Sequence, residues 1–315
     1  MLTRIGNKLY RAGRYLERAE QIASYTRVHY LSTMDAPSPE FKDSFLKFLL
    51  ECTQAKQAYF DTYPEAEEEK ILHFLAIEKA NPASILSAVT NARESIRGAR
   101  DCISAGLWEH INCFYHAIND YDAEKLNQKS FDNFAQKVEK YSYTIKGYVH
   151  SNMIRNEEWK LLSLGFHLER AIQVSTLLLN KIQEIERNSS SAKPEVYEYY
   201  HMKSMLEGLD AYEMYKQHYK THISRPLFMH FLVLNSIFPK SVAFNLNHIR
   251  TLCREHDEND QGEANIFLQQ VALLVSEIED VEPGLLVGNE KHYLENTLNN
   301  LHSLAKSLEL EQVAF

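Results

Sequence analysis

This sequence is poor in the two residues that most often interrupt helices. It has 10 glycines and 8 prolines in 315 residues, about half of their average usage. Tight turns are therefore few, and long helices are expected. No run of eighteen uncharged apolar residues occurs, and the N-terminus has no continuous apolar stretch, so neither a membrane-spanning helix nor a secretory signal is predicted. We expect a cytoplasmic protein.

The excess of negative charge and the small number of cysteines argue against several classes of function. The formal net charge of -9 disfavours general binding to nucleic acid or anionic membranes, since both require a basic surface. The chain has 4 cysteines and no Cys-x-x-Cys pair, so neither a disulfide framework nor a zinc site with thiolate ligands is indicated. The thiols are expected to be reduced and mostly buried as small apolar groups: Cys52, Cys102, Cys113 and Cys253.

One eleven-residue stretch occurs twice. GRYLERAEQIA (residues 13–23) returns as GFHLERAIQVS (residues 165–175), 152 residues later, with six identical positions. Around both stretches apolar residues recur at steps of three and four, which predicts a long helix with one apolar stripe. The stripe consists of Ile5, Leu9, Ala12, Leu16, Ala19 and Ala23 in the first copy, and of Leu161, Leu164, Leu168, Ala171, Ser175, Leu178 and Ile182 in the second.

A second pair of similar segments supports a tandem duplication. FLAIEKANPASILSAVTNAR (residues 74–93) aligns with FLVLNSIFPKSVAFNLNHIR (residues 231–250) at an offset of 157. Collinear matches at nearly equal spacing indicate two copies of one unit, and no alternation typical of strands is present. The sequence therefore predicts an all-α fold of two helical-bundle repeats, residues 1–152 and 153–315. We expect a pseudo-two-fold to relate the repeats, which pack as one globular body.

Proline and small polar residues mark predicted helix ends. Ser38-Pro39 and Asn81-Pro82 each predict an N-cap followed by proline in the first turn, and Pro239 repeats the second of these signals. Loops are predicted at residues 188–195, 255–263 and 280–290.

The repeated Glu-Arg pair lies on the side of its helix opposite the apolar stripe. In the second copy that side is itself apolar, and a helix that is apolar on both sides is buried on both sides. The motif Leu-Glu-Arg-Ala-x-x-Gln is therefore predicted to place its polar groups in or at the edge of the interior, where an unpaired charge is costly. The residues on this side are Tyr10, Arg14, Gln21 and Tyr25 in the first copy, and Leu162, Phe166, Gln173, Val174 and Leu177 in the second.

Two interpretations of this motif stay open. In the structural one, Glu17 faces Arg170 and Arg18 faces Glu169 across the two copies, as fork-shaped guanidinium-carboxylate pairs. In the functional one, the same groups line a cleft between the halves and hold a carboxylate or phosphate. We favour the structural interpretation, because interior ion pairs more often position helices than bind ligands. The candidate ligand-binding residues are Arg14, Glu17, Arg18, Gln21, Glu169, Arg170 and Gln173.

A second set of candidates is formed by spaced arginines. Arg93, Arg97 and Arg100 follow the spacing i, i+4, i+7 of one helical face, and the first two recur at the same offset of 157 as Arg250 and Arg254. Such a face is suited to clamp an anionic ligand or an acidic segment of a partner. The alternative is a solvated surface in which the arginines pair with Glu94 or Glu255.

Metal and cofactor chemistry is not indicated. His218 and His222 have the i, i+4 spacing of a helical metal pair, but no glutamate follows the first histidine as the zinc-protease pattern requires. The chain contains neither a glycine-rich phosphate loop nor a Gly-x-Ser-x-Gly nucleophile turn. We therefore predict no metal and no cofactor.

Several of these segments resemble the alpha-E domain family over nearly the whole chain. They are KLYRAGRYLERAE (residues 8–20), NPASI, NAR-x-x-x-R, Trp108 and Asn112 in LWEHIN, and the second FL-x-L and PKSV segments. The family is all-helical and is named for its Glu-Arg motif, which corresponds here to Glu17 and Arg18. The chain departs from the family pattern at Tyr10, where tryptophan is frequent, and at Asn235, where an acidic residue is frequent.

The resemblance implies a context. Family members commonly accompany an ATP-grasp protein of the peptide-ligase kind and a transglutaminase-like peptidase. We therefore predict a non-enzymatic helical partner that binds a peptide or docks on the ligase during peptide synthesis or modification. One alternative is an enzyme of that pathway, with Glu17 or Glu169 as a catalytic acid/base group. Another is a purely structural oligomeric subunit.

Overall fold

A computed structural model describes residues 3–34, 39–187, 194–257, 266–281 and 288–310. Throughout these ranges the regular structure is helical and no strand occurs, so the predicted all-α class is confirmed. None of the helices in these ranges is both long and apolar enough to cross a membrane.

The chain divides into two compact units. Lys8–Leu162 form the first, called here the N-terminal unit. Ser163–Phe315 together with Met1–Asn7 form the second, the C-terminal unit. The predicted repeat boundary after residue 152 and the predicted pseudo-two-fold stay predictions.

Helices α1 to α7 span the first half of the sequence, and α7 is interrupted at Ser130, whose φ of 62° lies outside the helical region. A single 3-10 turn, Arg100–Cys102, separates α5 from α6. The bounds are α1 Thr3–Met34, α2 Pro39–Cys52, α3 Lys56–Thr62, α4 Glu68–Ala76, α5 Ile85–Arg97, α6 Ala105–Asn119 and α7 Ala123–Asn152.

Helices α8 to α14 follow in the second half. A π-helical segment, His230–Leu234, continues directly from α11. The bounds are α8 Glu157–Arg187, α9 Pro194–Gly208, α10 Tyr212–Tyr219, α11 Arg225–Met229, α12 Val242–Asp257, α13 Ile266–Glu279 and α14 Glu290–Leu310.

The two helices that carry the repeated motif are long and buried, as predicted. The apolar stripe of α1 is buried from Leu9 to Ala23, with Ile5 half-buried at its start, and all seven stripe positions of α8 are buried. The opposite side of α8 is buried too, since Leu162, Phe166, Val174 and Leu177 are each at most 7% exposed. Helix α8 is therefore enclosed on both sides.

The predicted helix starts are only partly correct. Pro39 opens α2 as expected, while Ser38 lies outside the described residues. The Asn81-Pro82 start is wrong: α5 begins at Ile85, and the Ser84 hydroxyl caps it by accepting the Ser87 N–H at 3.1 Å. Asn81 instead closes a turn, because its amide oxygen accepts the Ala83 N–H at 2.9 Å.

The start assigned to Pro239 is wrong for the same reason. Helix α12 begins at Val242, and the Ser241 hydroxyl accepts the Phe244 N–H at 3.0 Å. Of the predicted loops, residues 188–193, 258–263 and 282–287 lie outside the described residues. Pro194 begins α9, Glu255 to Asp257 continue α12, and Glu290 begins α14, so those positions were wrongly assigned to loops.

The turn after α2 and the aromatic residues beside it form a distinct local structure. Gln54 adopts a left-handed conformation, φ 55°, and the Ala55 N–H bonds back to the Leu50 carbonyl at 2.9 Å, as in a Schellman helix end. On α3, Tyr59 stacks edge-on against Phe74 at 5.3 Å between ring centroids. Its hydroxyl donates to the Glu65 carbonyl at 3.0 Å.

The turn after α9 has the same construction. Asp210 is left-handed, φ 51°, and the Ala211 N–H bonds to the Leu206 carbonyl at 2.7 Å. On α10, Tyr215 lies edge-on against Phe231 at 5.5 Å. Its hydroxyl donates to the His222 carbonyl at 3.5 Å.

The four cysteines are thiols. Cys52 and Cys253 are buried as predicted, Cys102 is half-buried, and Cys113 is exposed. The expectation of burial is therefore wrong for Cys113, which lies on the outer face of α6.

Candidate functional site

The first Glu-Arg motif places a fully buried carboxylate on α1. The Glu17 side chain is 0% exposed and forms an ion pair with Lys146 of α7. The same Lys146 ammonium lies 2.5 Å from a carboxylate oxygen of Glu20, and the Gln21 amide donates to Glu17 Oε1 at 3.2 Å. Lys146 and the motif glutamine together supply the hydrogen bonds and the positive charge that buried carboxylates require.

The second motif retains the carboxylate and its amide. Glu169 on α8 is 0% exposed, and the Gln173 amide donates to Glu169 Oε1 at 2.9 Å. Because the hydrogen bond from glutamine to glutamate recurs at the spacing i, i+4 in both motifs, each motif is a local unit in which the glutamine orients the carboxylate.

The motif arginines lie at the edge of the interior. Arg18 is half-buried, with its guanidinium 5.8 Å from the ring centre of Tyr15, and Arg14 lies 5.7 Å from the ring of Tyr10. Arg170 is half-buried and donates to the Pro239 carbonyl at 3.4 Å. The cross-copy pairing of Glu17 with Arg170 and of Arg18 with Glu169 stays a prediction.

Arg93 is the most constrained of the predicted arginines. Its guanidinium lies 4.6 Å from the ring centre of Tyr115 and 5.5 Å from that of Trp108. Its Nε donates to the Asn112 amide oxygen at 2.8 Å, and its Nη1 pairs with Glu94 at 2.9 Å. Trp108, Asn112 and Tyr115 share one face of α6 at the spacing i, i+4, i+7, so a single helix face holds the guanidinium.

Three further cations lie in the same region of the N-terminal unit, in contact with Glu94, Trp108 or the turn after α5. Arg97 is 64% exposed and pairs with Glu94. Arg100 lies 5.8 Å from the Trp108 ring, and the Lys8 ammonium donates to the Gly98 carbonyl at 3.3 Å. We call the surface formed by Lys8, Arg93, Arg97, Arg100, Trp108 and Tyr115 the basic–aromatic patch.

The structure corrects one detail of this prediction. Helix α5 ends at Arg97, so Arg100 lies in the following 3-10 turn and not on the same helical face. Sequence reasoning connected Trp108 and Asn112 with the family but not with Arg93. The helical spacing of Trp108, Asn112 and Tyr115 is the sequence feature that could have indicated a common contact with Arg93.

The second pair of predicted arginines, Arg250 and Arg254, has different surroundings. Arg250 donates to the Asn247 amide oxygen at 2.7 Å and to a carboxylate oxygen of Glu279 on α13 at 3.2 Å. Arg254 is exposed. The neighbouring helix α13 thus provides a carboxylate as the partner of Arg250, whereas α6 provides an amide and two aromatic rings around Arg93.

The histidine pair does not lie on one helix. Helix α10 ends at Tyr219, and Lys220 is left-handed with a φ of 53°, so His222 lies beyond the helix that carries His218. The Asn235 amide nitrogen lies 3.3 Å from His218 Nε2. Within the described part of the chain, no three histidine, cysteine, aspartate or glutamate side chains are arranged to hold a metal ion.

A tyrosine-histidine contact that the sequence did not indicate lies at the π-helical segment. The Tyr219 hydroxyl is 2.5 Å from His230 Nδ1. Burial raises the pKa of Tyr219 to about 12, while burial and the neighbouring His218 lower the pKa of His230. The contact therefore joins a protonated tyrosine hydroxyl and a neutral imidazole, and the tautomer of His230 decides which group donates.

A buried charged cluster joins α8 and α9 and was also missed. Lys181 is 0% exposed, and its ammonium lies 2.9 Å from Glu184 Oε2 and 3.1 Å from His201 Nδ1. Despite burial, which acts in the opposite direction, Lys181 and His201 lower the pKa of Glu184 to about 2. Burial and Lys181 lower the pKa of His201, so the cluster holds an ammonium, a carboxylate and a neutral imidazole.

Comparison with known proteins places the chain by family. No curated protein and no solved structure matches it. A family model described as a predicted alpha-helical domain with a conserved ER motif matches residues 1–311. Both Glu-Arg motifs lie in long helices, α1 and α8, in agreement with the helical part of that description. The chain belongs to the Alpha-E family.

Proposed function

We propose that this protein is a helical binding partner of an ATP-grasp ligase of the peptide-ligase kind, in a peptide pathway that also uses a transglutaminase-like peptidase. Family membership supports the pathway, and the basic–aromatic patch supports the binding role. Since such a ligase requires ATP, we expect the complex in the cytoplasm. The observation that carries the proposal is the fixed guanidinium of Arg93.

The patch has the chemistry of a docking surface for an acidic segment. Arg93 is held by Asn112 and by two aromatic rings, so little side-chain freedom remains to be lost when a carboxylate binds. Arg93 and Arg97 both pair with the Glu94 carboxylate here, in a chain with a net charge of -9. Arginine and tryptophan are also the residues most enriched at the energetic centres of protein interfaces.

The burial of the motif glutamates supports a structural role for them over a catalytic one. Glu17 and Glu169 are both 0% exposed, and an acid/base group must reach the proton that it transfers. Glu17 is also held by Lys146 and Gln21. If one of these glutamates were a catalytic acid/base group, helix α1 or α8 would therefore have to move to expose it.

We also propose that the two units are copies produced by tandem duplication. The supporting observations are the left-handed turns at Gln54 and Asp210 and the edge-on pairs of Tyr59 with Phe74 and of Tyr215 with Phe231. The serine caps Ser84 and Ser241 occupy matching positions of the two aligned segments. These contacts recur in the same order at almost constant spacing along the chain.

The proposal is tested by measuring the affinity of the purified chain for a purified ATP-grasp ligase of the peptide-ligase kind from the same organism. The double variant Arg93→Ala/Arg97→Ala is expected to weaken binding by about tenfold or more, since truncating an interface arginine commonly costs about 2 kcal/mol or more. Arg155→Ala is the matched control, because Arg155 also stacks on a tryptophan of the N-terminal unit, Trp159, at 4.1 Å. Unchanged affinity in the double variant would refute the docking role.

The purified chain also allows a test of the alternative in which the protein is an enzyme. The isolated chain is incubated with the peptide substrate of the ligase, and product is followed by mass spectrometry. Turnover that disappears in Glu17→Gln would replace the binding proposal with the catalytic one.

A further inference from the structure

A groove that nothing above uses lies on the C-terminal unit beside α13 and α14. Its volume is about 410 Å³, within the range of roughly 300–1,000 Å³ that is usual for ligand sites. Each lining side chain carries a hydrogen-bonding group: Glu277, Tyr293, Asn296, Thr297, Asn299 and Asn300. Such a lining is suited to a polar ligand.

The sequence of α14 at this groove is unusual for a helix interior. Residues 296–300 read NTLNN, although asparagine and threonine are among the poorer helix formers. An ordinary solvated face would carry glutamate, lysine or glutamine, which favour the helix. Tyr293, Asn296 and Asn300 follow the spacing i, i+3, i+7 of one helical face. The amides are therefore concentrated on this face at a cost to helix stability.

The groove offers neutral donors and acceptors. The Asn296 amide nitrogen lies 3.1 Å from His292 Nε2, and the Asn300 amide nitrogen donates to Glu277 at 3.4 Å, so each amide oxygen keeps its acceptor capacity. Asn299 is exposed. Burial raises the pKa of Tyr293 to about 12, which keeps its hydroxyl protonated as a donor. Glu277 is the one charged side chain among the lining residues.

We propose that this groove binds the main chain of an extended peptide segment. A side-chain amide carries the same donor and acceptor as a peptide group, so a row of asparagines can pair with successive peptide groups whatever their side chains are. The uncharged character of most lining groups fits the neutral backbone better than a phosphate or a carboxylate. The peptide nature of the ligand rests on the proposed function, whereas the position of the site does not depend on the basic–aromatic patch.

The experiment follows the asparagine side-chain amide signals of ¹⁵N-labelled protein by NMR during titration with blocked tetra-alanine. We expect saturable shifts of the signals of Asn296, Asn299 and Asn300. A tetra-alanine with N-methylated peptide groups is the matched probe, because it keeps the side chains but has lost the backbone donors. Its affinity should be lower by about tenfold or more, as expected when two or more hydrogen bonds are lost.

Variants on the exposed surface complete the test. Asn296→Ala/Asn300→Ala should weaken tetra-alanine binding by about tenfold, while Asn152→Ala, a change at an exposed asparagine of α7, should leave it unchanged. Equal binding of the N-methylated probe, wild-type affinity in the double variant, or no saturable shift would each overturn the proposal. Unchanged ligase binding in Arg93→Ala/Arg97→Ala, together with saturable tetra-alanine shifts, would refute the docking role alone. Weakened ligase binding in that variant, without any saturable tetra-alanine shift in the wild type, would refute the groove alone.

Discussion

Replacing Glu184 by glutamine probes the buried cluster between α8 and α9. The carboxylate has a pKa of about 2 in the folded protein against an ordinary value of 4.5, and each unit corresponds to about 1.4 kcal/mol, so its charged form contributes on the order of 3 kcal/mol to folding. Removing it also leaves the Lys181 ammonium, 0% exposed, without this counter-charge. Loss of one partner of a buried pair commonly costs about 3–5 kcal/mol. We therefore expect Glu184→Gln to lower the free energy of unfolding at pH 7 by about 3 kcal/mol.

The pH dependence of the stability loss in Glu184→Gln provides an independent check, because the pKa shift of Glu184 fixes the direction in which this loss changes with pH. Because folding lowers the pKa of Glu184, its contribution is complete above about pH 5 and is lost as the pH falls towards 2. The difference in unfolding free energy between wild type and Glu184→Gln should therefore shrink over that range. Urea denaturation followed by circular dichroism at pH 7, 5, 4 and 3 measures it.

A surface ion pair of the same unit provides the control. Glu207 lies 3.5 Å from Lys203 on α9 and is 40% exposed, so Glu207→Gln should cost less than about 1 kcal/mol. A cost below about 1 kcal/mol for Glu184→Gln, or a difference from wild type that is as large at pH 3 as at pH 7, would refute the reasoning from burial and charge.

Two further predictions concern the N-terminal unit and the helix caps. Lys146→Met removes the ammonium between Glu17 and Glu20 and should lower the free energy of unfolding, measured by urea denaturation, by about 3 kcal/mol. Lys146→Arg keeps the charge and should lower it by less. Equal losses of stability in the two variants would argue against a charge effect. Ser84→Ala should cost about 1 kcal/mol as a lost cap. Ser241→Ala should cost more, because the Ser241 hydroxyl also donates to the buried Asn235 carbonyl, whereas the Ser84 hydroxyl donates to the part-buried Ser87 hydroxyl. A smaller cost than that of Ser84→Ala would contradict this account.

Sequence periodicity predicted the parts of the fold that depend on local spacing. The stripes of α1 and α8 follow the helical repeat, and the apolar residues on the second side of α8 correctly indicated that Glu169 is buried. The Asn81-Pro82 signal failed because asparagine closes a turn as readily as it caps a helix, and Ser84, slightly further along the chain, provides the cap. Asn81 and Ser84 are both suitable N-cap residues, and the sequence alone did not show which of them caps α5.

The partners of the candidate groups were beyond sequence reasoning because they are distant along the chain. Lys146, which pairs with both Glu17 and Glu20, lies 126 residues from Glu20. Glu279 lies 29 residues from Arg250. No spacing rule connects such positions, since their approach is decided by how whole helices pack. Even the contact of Arg93 with Asn112, 19 residues apart, depends on the turn between α5 and α6.

The different surroundings of Arg93 and Arg250 have a consequence for stoichiometry. Arg250 pairs with Glu279 on a neighbouring helix, whereas Arg93 pairs with Glu94 of its own helix and lies against the rings of Trp108 and Tyr115. If the basic–aromatic patch is the docking surface and Arg250 takes no part in docking, the chain offers one point of attachment. It then binds its partner as a monovalent ligand, gains nothing from avidity and cannot cross-link two partner molecules.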